Sequence, residues 1–349
     1  MTDFGIGVIG CGYWGPNLIR NFARHPRCRV VGVCDTQLER ADRIAKEYGI
    51  ASATDAVGQL LSLPGLDLVV VATPSFTHFE LARQALQAGK HVLVMKPLTT
   101  NSAHARELIR LAAQHQRLLA VDHTFVFTGA VRYMRQLIEA GEVGELYYFD
   151  SVRINLGLIQ TDINVLWDLA PHDISIMDYL FQQAPTSVSA QAAGHGGSPT
   201  ENIAYLTVRF GESLLGHVHV NWLAPAKVRR TIVGGSRKMI VYDDVEPSEK
   251  VKVYDKGVSI SGELGRDSEY QYMISYRSGD MHAPRLDTTE ALAVEVDNIV
   301  QAMSGTQPLI CDGAAGERIV RILEAAQESI EGGGMPVSLM EPQPTAAIR

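Results

Sequence analysis

Between Phe4 and Asp35 an apolar strand runs into a glycine-rich turn, a helix and a second strand that closes on a carboxylate; no other stretch restricts the fold as much. Ile6, Val8 and Ile9 read as a buried strand, and Gly10-Cys11-Gly12-Tyr13-Trp14-Gly15 has the spacing G-x-G-x-x-G. In that spacing Gly10 permits the tight turn, Gly12 admits backbone to a pyrophosphate, and Gly15 lets helix and strand pack closely. The helix that follows would aim its unbonded N–H groups and positive dipole end at the phosphates. Asp35, twenty residues past Gly15, ends the strand Val30-Val31-Gly32-Val33-Cys34, where a carboxylate receives the adenosine ribose hydroxyls. The glycines alone are a weak signal, but strand, turn, helix, strand and acid in order predict dinucleotide binding.

At 349 residues the chain is long enough for two domains with substantial cores. A net charge of -8 leaves no basic footprint for nucleic acid or an anionic membrane, so an anionic substrate has to be met by local arginines. No apolar run reaches bilayer-spanning length, and Met1-Thr2-Asp3-Phe4 has no basic leader region. The four cysteines, Cys11, Cys28, Cys34 and Cys311, have no C-x-x-C spacing, which fits buried thiols in a reducing cytoplasm.

Strand and helix alternate from residue 1 to about 122: Leu66 to Ala72, a helix near 77–88, His91 to Val94, a helix near 102–116, and Leu118 to Val121. Short apolar strands separated by helices predict a doubly wound parallel sheet covered on both faces, with a boundary at 122/123. From 123 to 349 the pattern changes to alternating strands. They are Tyr147 to Asn155, Ala204 to Phe210, Leu214 to Trp222, Val228 to Val233, Lys238 to Tyr242 and Val251 to Tyr254. A helix over 131–140 precedes them and helices near 289–304 and 314–330 follow; residues 255–285 read as an irregular loop. The fold class expected is therefore α/β: a parallel nucleotide-binding sheet, then an α/β domain whose largely antiparallel sheet leaves one face free for substrate.

Ligands of open parallel sheets lie beyond the carboxyl ends of the strands. Two such ends carry chemistry: Thr73-Pro74-Ser75-Phe76-Thr77-His78, and Met95-Lys96-Pro97-Leu98. Proline after Lys96 disfavours helical geometry, so Lys96 should be held extended, facing the cleft. A solvated loop lysine explains the residue equally well. In Trp167-Asp168-Leu169-Ala170-Pro171-His172-Asp173, Asp168 could cap a helix with Pro171 in its first turn and His172 on the same side. An imidazole there could serve as general base, its pKa biased downward by the helix terminus, although a capping aspartate and a surface histidine are the simpler account. His217-Val218-His219 is half a metal site at most, and without a companion cysteine or carboxylate pattern no metal is expected.

Taken in order, Gly10 to Gly15, Asp35, Thr73-Pro74 with His78, Lys96-Pro97-Leu98, and Asp168 four before His172 resemble the Gfo/Idh/MocA oxidoreductases over nearly the whole chain. The resemblance implies an NAD(P)-binding Rossmann domain followed by a substrate-binding and oligomerisation domain, in a homodimer or homotetramer. It puts the family's catalytic lysine on Lys96 and its aspartate and histidine on Asp168 and His172. The cofactor set it implies is Gly10, Gly12, Tyr13, Trp14, Gly15, Asp35, Thr73, Pro74, Thr77, His78, Lys96 and Pro97. Arg153-Ile154-Asn155-Leu156-Gly157, the Asp162 to His172 run and Tyr276 to Asp280 resemble the nucleotide-sugar branch, which makes Lys96, Arg153, Asn155, Asp168 and His172 the implied substrate contacts. In one respect the chain departs from the pattern: Met95 stands where members commonly have glutamate before the lysine.

The activity this implies is NAD-dependent oxidation of a ring hydroxyl, C3 first, of a UDP-N-acetylhexosamine or its uronate. Either Lys96 or His172 can be the main proton acceptor. Asp35 followed by Thr36-Gln37, with no adjacent arginine, favours NAD over NADP, because a 2′-phosphate would meet a carboxylate. Three alternatives stand beside it: an NADP-dependent 3-ketoreductase of a dTDP-deoxysugar, an NAD-dependent glycosidase, and a non-enzymatic dinucleotide sensor.

Overall fold

The computed structural model describes residues 4–157, 159, 163–261 and 273–340. Residues 1–128 with 288–324 make one compact unit, and 129–287 with 325–349 make the other.

In the first unit the chain runs β1 (Phe4–Ile9), α1 (Gly15–Arg24), β2 (Cys28–Cys34), α2 (Leu38–Tyr48), β3 (Ser52–Thr54), α3 (Val57–Leu61), β4 (Leu68–Val71), α4 (His78–Gln87), β5 (His91–Met95), α5 (Ser102–Gln114) and β6 (Leu119–Asp122). The six strands pair in parallel in the order β3-β2-β1-β4-β5-β6, the doubly wound sheet expected. Val69, Val70, Val71, Val92, Leu93 and Val94 are fully buried, as strands covered on both faces require.

In the second unit α6 (Gly129–Glu139), β7 (Leu146–Leu156) and α7 (Val165–Phe181) come first. Then follow β8 (Ser187–Ala193), β9 (Ile203–Phe210), β10 (Leu214–Asn221), β11 (Leu223–Gly235), β12 (Met239–Asp243), β13 (Val251–Tyr254), β14 (Gly257–Ser261), β15 (Met273–Arg277) and β16 (Met281–His282). Nine strands order as β16-β13-β12-β11-β7-β10-β9-β8-β17, β17 being Val337–Ser338. Only β7 and β10 pair in parallel; the other neighbours are antiparallel. The described parts of 255–285, residues 255–261 and 273–285, are not the irregular loop expected, since β14 and β15 form a ribbon of their own and β16 joins the large sheet; residues 262–272 lie outside the described residues. β8 was not foreseen either, because Ser187-Val-Ser-Ala-Gln-Ala-Ala is too polar to read as a strand until paired with β9.

One face of this sheet is packed: Phe149, Ser151 and Arg153 of β7 and Val218 and Val220 of β10 are buried on it. α7 lies on that face, with Phe181 edge-on to Phe149 and to Phe210. Arg153 therefore points into the packed face and not, as expected, onto a face open to substrate. The opposite face is half-exposed and holds His217, 2.9 Å from Asp150, and His219 stacked on Tyr205 at 4.4 Å. Among the described residues no cluster of three metal-ligating side chains occurs.

After β16 the chain returns to the first unit through α8 (Ala291–Met303), and α9 (Gly313–Glu331) starts there. The single boundary expected at 122/123 is thus replaced by crossings after Thr128, Asp287 and Glu324. The reason is apolar. Leu292, Val296, Ile299 and Val300 of α8 join Leu18, Ile19 and Phe22 of α1 in one core cluster, and each such burial contributes roughly 1.5–3 kcal/mol. Among the described residues no helix is long and apolar enough to cross a membrane.

Candidate functional site

The glycine turn has the geometry of a phosphate cradle. Gly10 sits at φ 98°, and a Cβ there would come within 2.2 Å of the Ala72 carbonyl oxygen. A Cβ on Gly15 would come within 2.0 Å of the Gly10 oxygen, so both positions exclude side chains. A Cβ on Gly12 would meet nothing nearer than Arg40 Nη1 at 3.9 Å, which leaves the turn open on the side where a ligand's backbone contact belongs. No side chain caps α1, and Pro16 in its first turn loses no helical bond. These residues fit a dinucleotide pyrophosphate.

Asp35 is 6% exposed. Its Oδ2 accepts from Cys11 N at 2.8 Å and its Oδ1 from Gln37 N at 2.9 Å, so the carboxylate ties the end of β2 to the turn. A carboxylate has about four acceptor positions, which leaves capacity for ribose hydroxyls. The sequence shows no arginine beside Asp35, but the first turn of α2 brings Arg40 Nη1 to 3.5 Å from Oδ2. Burial and the neighbouring carboxylate push the Cys11 thiol up to about 12, which makes it inert.

Thr73, Pro74 and Thr77 form the loop after β4, with Thr73 Oγ1 and Thr77 Oγ1 2.6 Å apart and Thr77 donating to the Pro74 carbonyl at 2.7 Å. His78 is buried beneath it, its ring nitrogens 2.8 Å from the carbonyl oxygens of Pro97 and Thr73. A neutral ring donates to one of them. Burial lowers the His78 pKa while both carbonyls oppose it. His78 is thus corrected from a cofactor contact to the brace between the loops after β4 and β5. Tyr13 is 91% exposed, whereas Trp14 packs against the core.

Lys96 follows β5 at the carboxyl edge, half-buried, and its bond to Pro97 is cis. Sequence reasoning missed the next strand end. Met95 is the register partner of Asp122, and His123 follows Asp122 just as Lys96 follows Met95. Burial, with the Lys96 ammonium adding to it, pushes His123 down to about 3, so the ring beside the lysine is neutral. The rule that pointed to Lys96, polar residues just past a strand's carboxyl end, applies equally to Asp122-His123.

Asp168 and His172 belong to the second unit, on α7. The helix starts at Val165, with Asn164 as its cap accepting from Trp167 N at 3.1 Å, so Asp168 is not the cap and Pro171 lies inside the helix. His172 is two turns from the terminus, and the expected dipole effect on its pKa has no basis there, since that effect fades within one turn. The four-residue spacing still puts Asp168 and His172 on one side of the helix. Asp168 Oδ2 accepts from Trp222 Nε1 at 3.2 Å, and a Cβ on Gly157 would lie 2.8 Å from that indole and 3.5 Å from Asn155 Nδ2. Asp168, Trp222 and Asn155 therefore cluster at the end of β7. Arg153 does not join them: its guanidinium binds Asp173 through Nε at 2.6 Å and Nη2 at 3.2 Å, and both side chains are under 5% exposed. Its sequence-based role as a sugar contact is replaced by that of a buried ion pair. Asp162 lies outside the described residues, and Tyr276 is an exposed residue of β15.

Residues 4–123 match the Gfo/Idh/MocA model described as an oxidoreductase family with an NAD-binding Rossmann fold, and residues 131–241 match the Gfo/Idh/MocA C-terminal domain. The chain is 28% identical over 339 residues to UDP-N-acetylglucosamine 3-dehydrogenase of Acidithiobacillus ferrooxidans, covering 95% of this chain and 98% of that one. The solved structure of that enzyme, GnnA, superposes with a TM-score of 0.79 at 26% identity, over 95% of this chain and 99% of that one. WlbA dehydrogenase from Bordetella pertussis, solved with NADH and UDP-GlcNAcA, has the same fold, with a TM-score of 0.78 at 19% identity, over 97% of this chain and 100% of that one.

Proposed function

Since the chain belongs to the Gfo/Idh/MocA oxidoreductase family, we propose that it oxidises a ring hydroxyl, most directly C3, of a UDP-N-acetylhexosamine or its uronate, using NAD. The observation that carries the substrate choice is the likeness, over nearly the full length of both chains, to a UDP-N-acetylglucosamine 3-dehydrogenase. NAD, when bound, supplies the acceptor for the hydride. His172 takes the hydroxyl proton as the carbon–hydrogen bond breaks. Lys96 donates a hydrogen bond to the same oxygen and stabilises its developing negative charge. Asp168, fixed by the Trp222 indole, supplies a placed carboxylate on the His172 side of α7. Gly10, Gly12, Gly15 and the first turn of α1 hold the pyrophosphate, and Asp35 holds the ribose.

The direct test mixes purified protein with NAD and either UDP-N-acetylglucosamine or its uronate and follows NADH absorbance. An aminotransferase that consumes the keto sugar is included, because an unfavourable oxidation would otherwise hide turnover. NADH formation with one of these sugars is expected. A protein that binds NAD and stays inert to both defeats the substrate assignment.

Arg40 beside Asp35 gives cofactor choice a specific form. Asp35→Ser removes the charge that repels a 2′-phosphate and releases the guanidinium to bind it. A charge-assisted hydrogen bond contributes roughly 1.5–3 kcal/mol, so the NADP-to-NAD ratio of kcat/KM should rise about 10- to 100-fold. An unchanged ratio would place the discrimination elsewhere.

A further inference from the structure

Trp14, at the N-cap of α1, donates its indole N–H to Asp122 Oδ2 at 2.8 Å. Asp122 ends β6, and β6 is separated in the sheet from β1, which feeds the glycine turn, by β4 and β5. The bond therefore ties the turn to the far side of the two strands that lead into Thr73 and Lys96. Met95, the register partner of Asp122, packs with Trp14 against the apolar cluster shared by α1 and α8. Two further donors reach Asp122 Oδ1: Thr124 N at 3.1 Å and the Thr124 hydroxyl.

From α8, Glu295 enters this apolar layer on the helix stripe that also carries Leu292, Val296 and Ile299, and it is 2% exposed. Among the described residues no N–H or O–H donor reaches either of its carboxyl oxygens, and the Asp122 carboxyl group is a polar neighbour. Two ionised carboxylates side by side in such surroundings repel each other without compensation, so the pair must hold a proton. Asp122 already accepts from three donors, the Trp14 indole and the Thr124 N–H and hydroxyl. The proton belongs on Glu295, whose hydroxyl donates to Asp122. Burial and the adjacent carboxylate both hold the Glu295 carboxyl well above the usual carboxylate range.

We propose that Glu295, Asp122 and Trp14 form a clamp that positions the dinucleotide turn: protonated Glu295 fixes Asp122, and Asp122 holds the Trp14 indole, so that Gly12 and the first turn of α1 are set for the pyrophosphate before it arrives. The three are positioning residues, and none need touch the cofactor. The inference rests on NAD binding by the first unit and not on the sugar-nucleotide reading, so a protein inert to every sugar leaves it standing.

The test uses the full-length protein and needs no turnover. The indole N–H resonance of Trp14 is assigned by its loss in Trp14→Phe, and NAD affinity is measured by calorimetry. Trp14→Phe and Asp122→Asn should each weaken NAD about tenfold, the scale of one charge-assisted hydrogen bond, and the double variant should be no worse than either single one. Asp122→Asn should also shift the Trp14 indole signal in the cofactor-free protein. Glu295→Gln keeps an N–H donor towards Asp122 and should leave affinity within about twofold and the signal in place, whereas Glu295→Leu should weaken NAD as Asp122→Asn does. The clamp is overturned if Trp14→Phe binds NAD like the parent, or if Glu295→Gln is as impaired as Glu295→Leu. Should Asp122→Asn or Glu295→Leu not fold, Trp14→Phe and Glu295→Gln decide the matter: parent-like NAD binding in the first, or a loss of about tenfold or more in the second, overturns the clamp.

Discussion

Replacing Lys96 by methionine is expected to lower kcat about 10²- to 10⁴-fold while leaving the dissociation constant for NAD within a few-fold of the parent value. Methionine keeps an unbranched stem in a half-buried position, so what is lost is the ammonium and not the packing. The turn that holds pyrophosphate and the carboxylate that holds ribose are built from β1, α1 and β2, without the loop after β5, and should survive the change. A group that stabilises charge developing on the reacting oxygen acts in the transition state, so the loss should fall on kcat and kcat/KM together. His172→Ala should show the same signature, and the double variant should be far less impaired than the two losses multiplied, because both groups serve one proton transfer. Stopped-flow measurement of NADH formation at saturating NAD reads the chemical step. Full activity in Lys96→Met would return this residue to an ordinary loop lysine and take it out of the chemical step.

Much of the first unit was legible because its constraints are local. Gly10, Gly12 and Gly15 are read by spacing alone, since Gly10 and Gly15 stand where a Cβ would strike backbone and Gly12 where the turn stays open. What the sequence concealed was each residue whose state depends on a distant partner. Arg153 alternates like a surface residue along β7, and its buried ion pair with Asp173 comes from α7, far along the chain. Glu295 reads as one charge on an amphipathic helix, yet its place three after Leu292 and one before Val296 already put it on the apolar stripe. Asp168 looked like a helix cap because Pro171 suits a first turn, but Asn164, just upstream, is as good a cap and its oxygen reaches Trp167 N. α8 gave no local sign that it belongs with α1, since an apolar stripe says that a helix packs and not on what.

The Asp173–Arg153 pair sets the orientation of the helix that carries Asp168 and His172, which makes Asp173→Ala the variant with the largest expected effect on stability. Three donors converge on this carboxylate: Arg153 Nε, Arg153 Nη2 and Ser151 Oγ, the last at 2.6 Å. Removing it takes the carboxylate away from a guanidinium under 5% exposed in the packed face of the sheet, at a cost of about 3–5 kcal/mol. The second unit should then melt at a clearly lower temperature by calorimetry, and its transition should separate from that of the first unit. Replacing both partners, Arg153→Met with Asp173→Leu, removes the buried charge along with the pair and should restore most of the loss, because a buried ion pair contributes little over apolar side chains of similar volume. Stability alone does not exhaust its role. Asp173 is the residue after His172, so the pair fixes α7 in rotation against β7, and an apolar replacement packs without that directional constraint. The double variant should therefore recover its melting temperature while kcat stays below that of the parent. Recovery of both would reduce the pair to packing, and recovery of neither would mean that Ser151 and the surrounding polar groups, left without the carboxylate, dominate the loss.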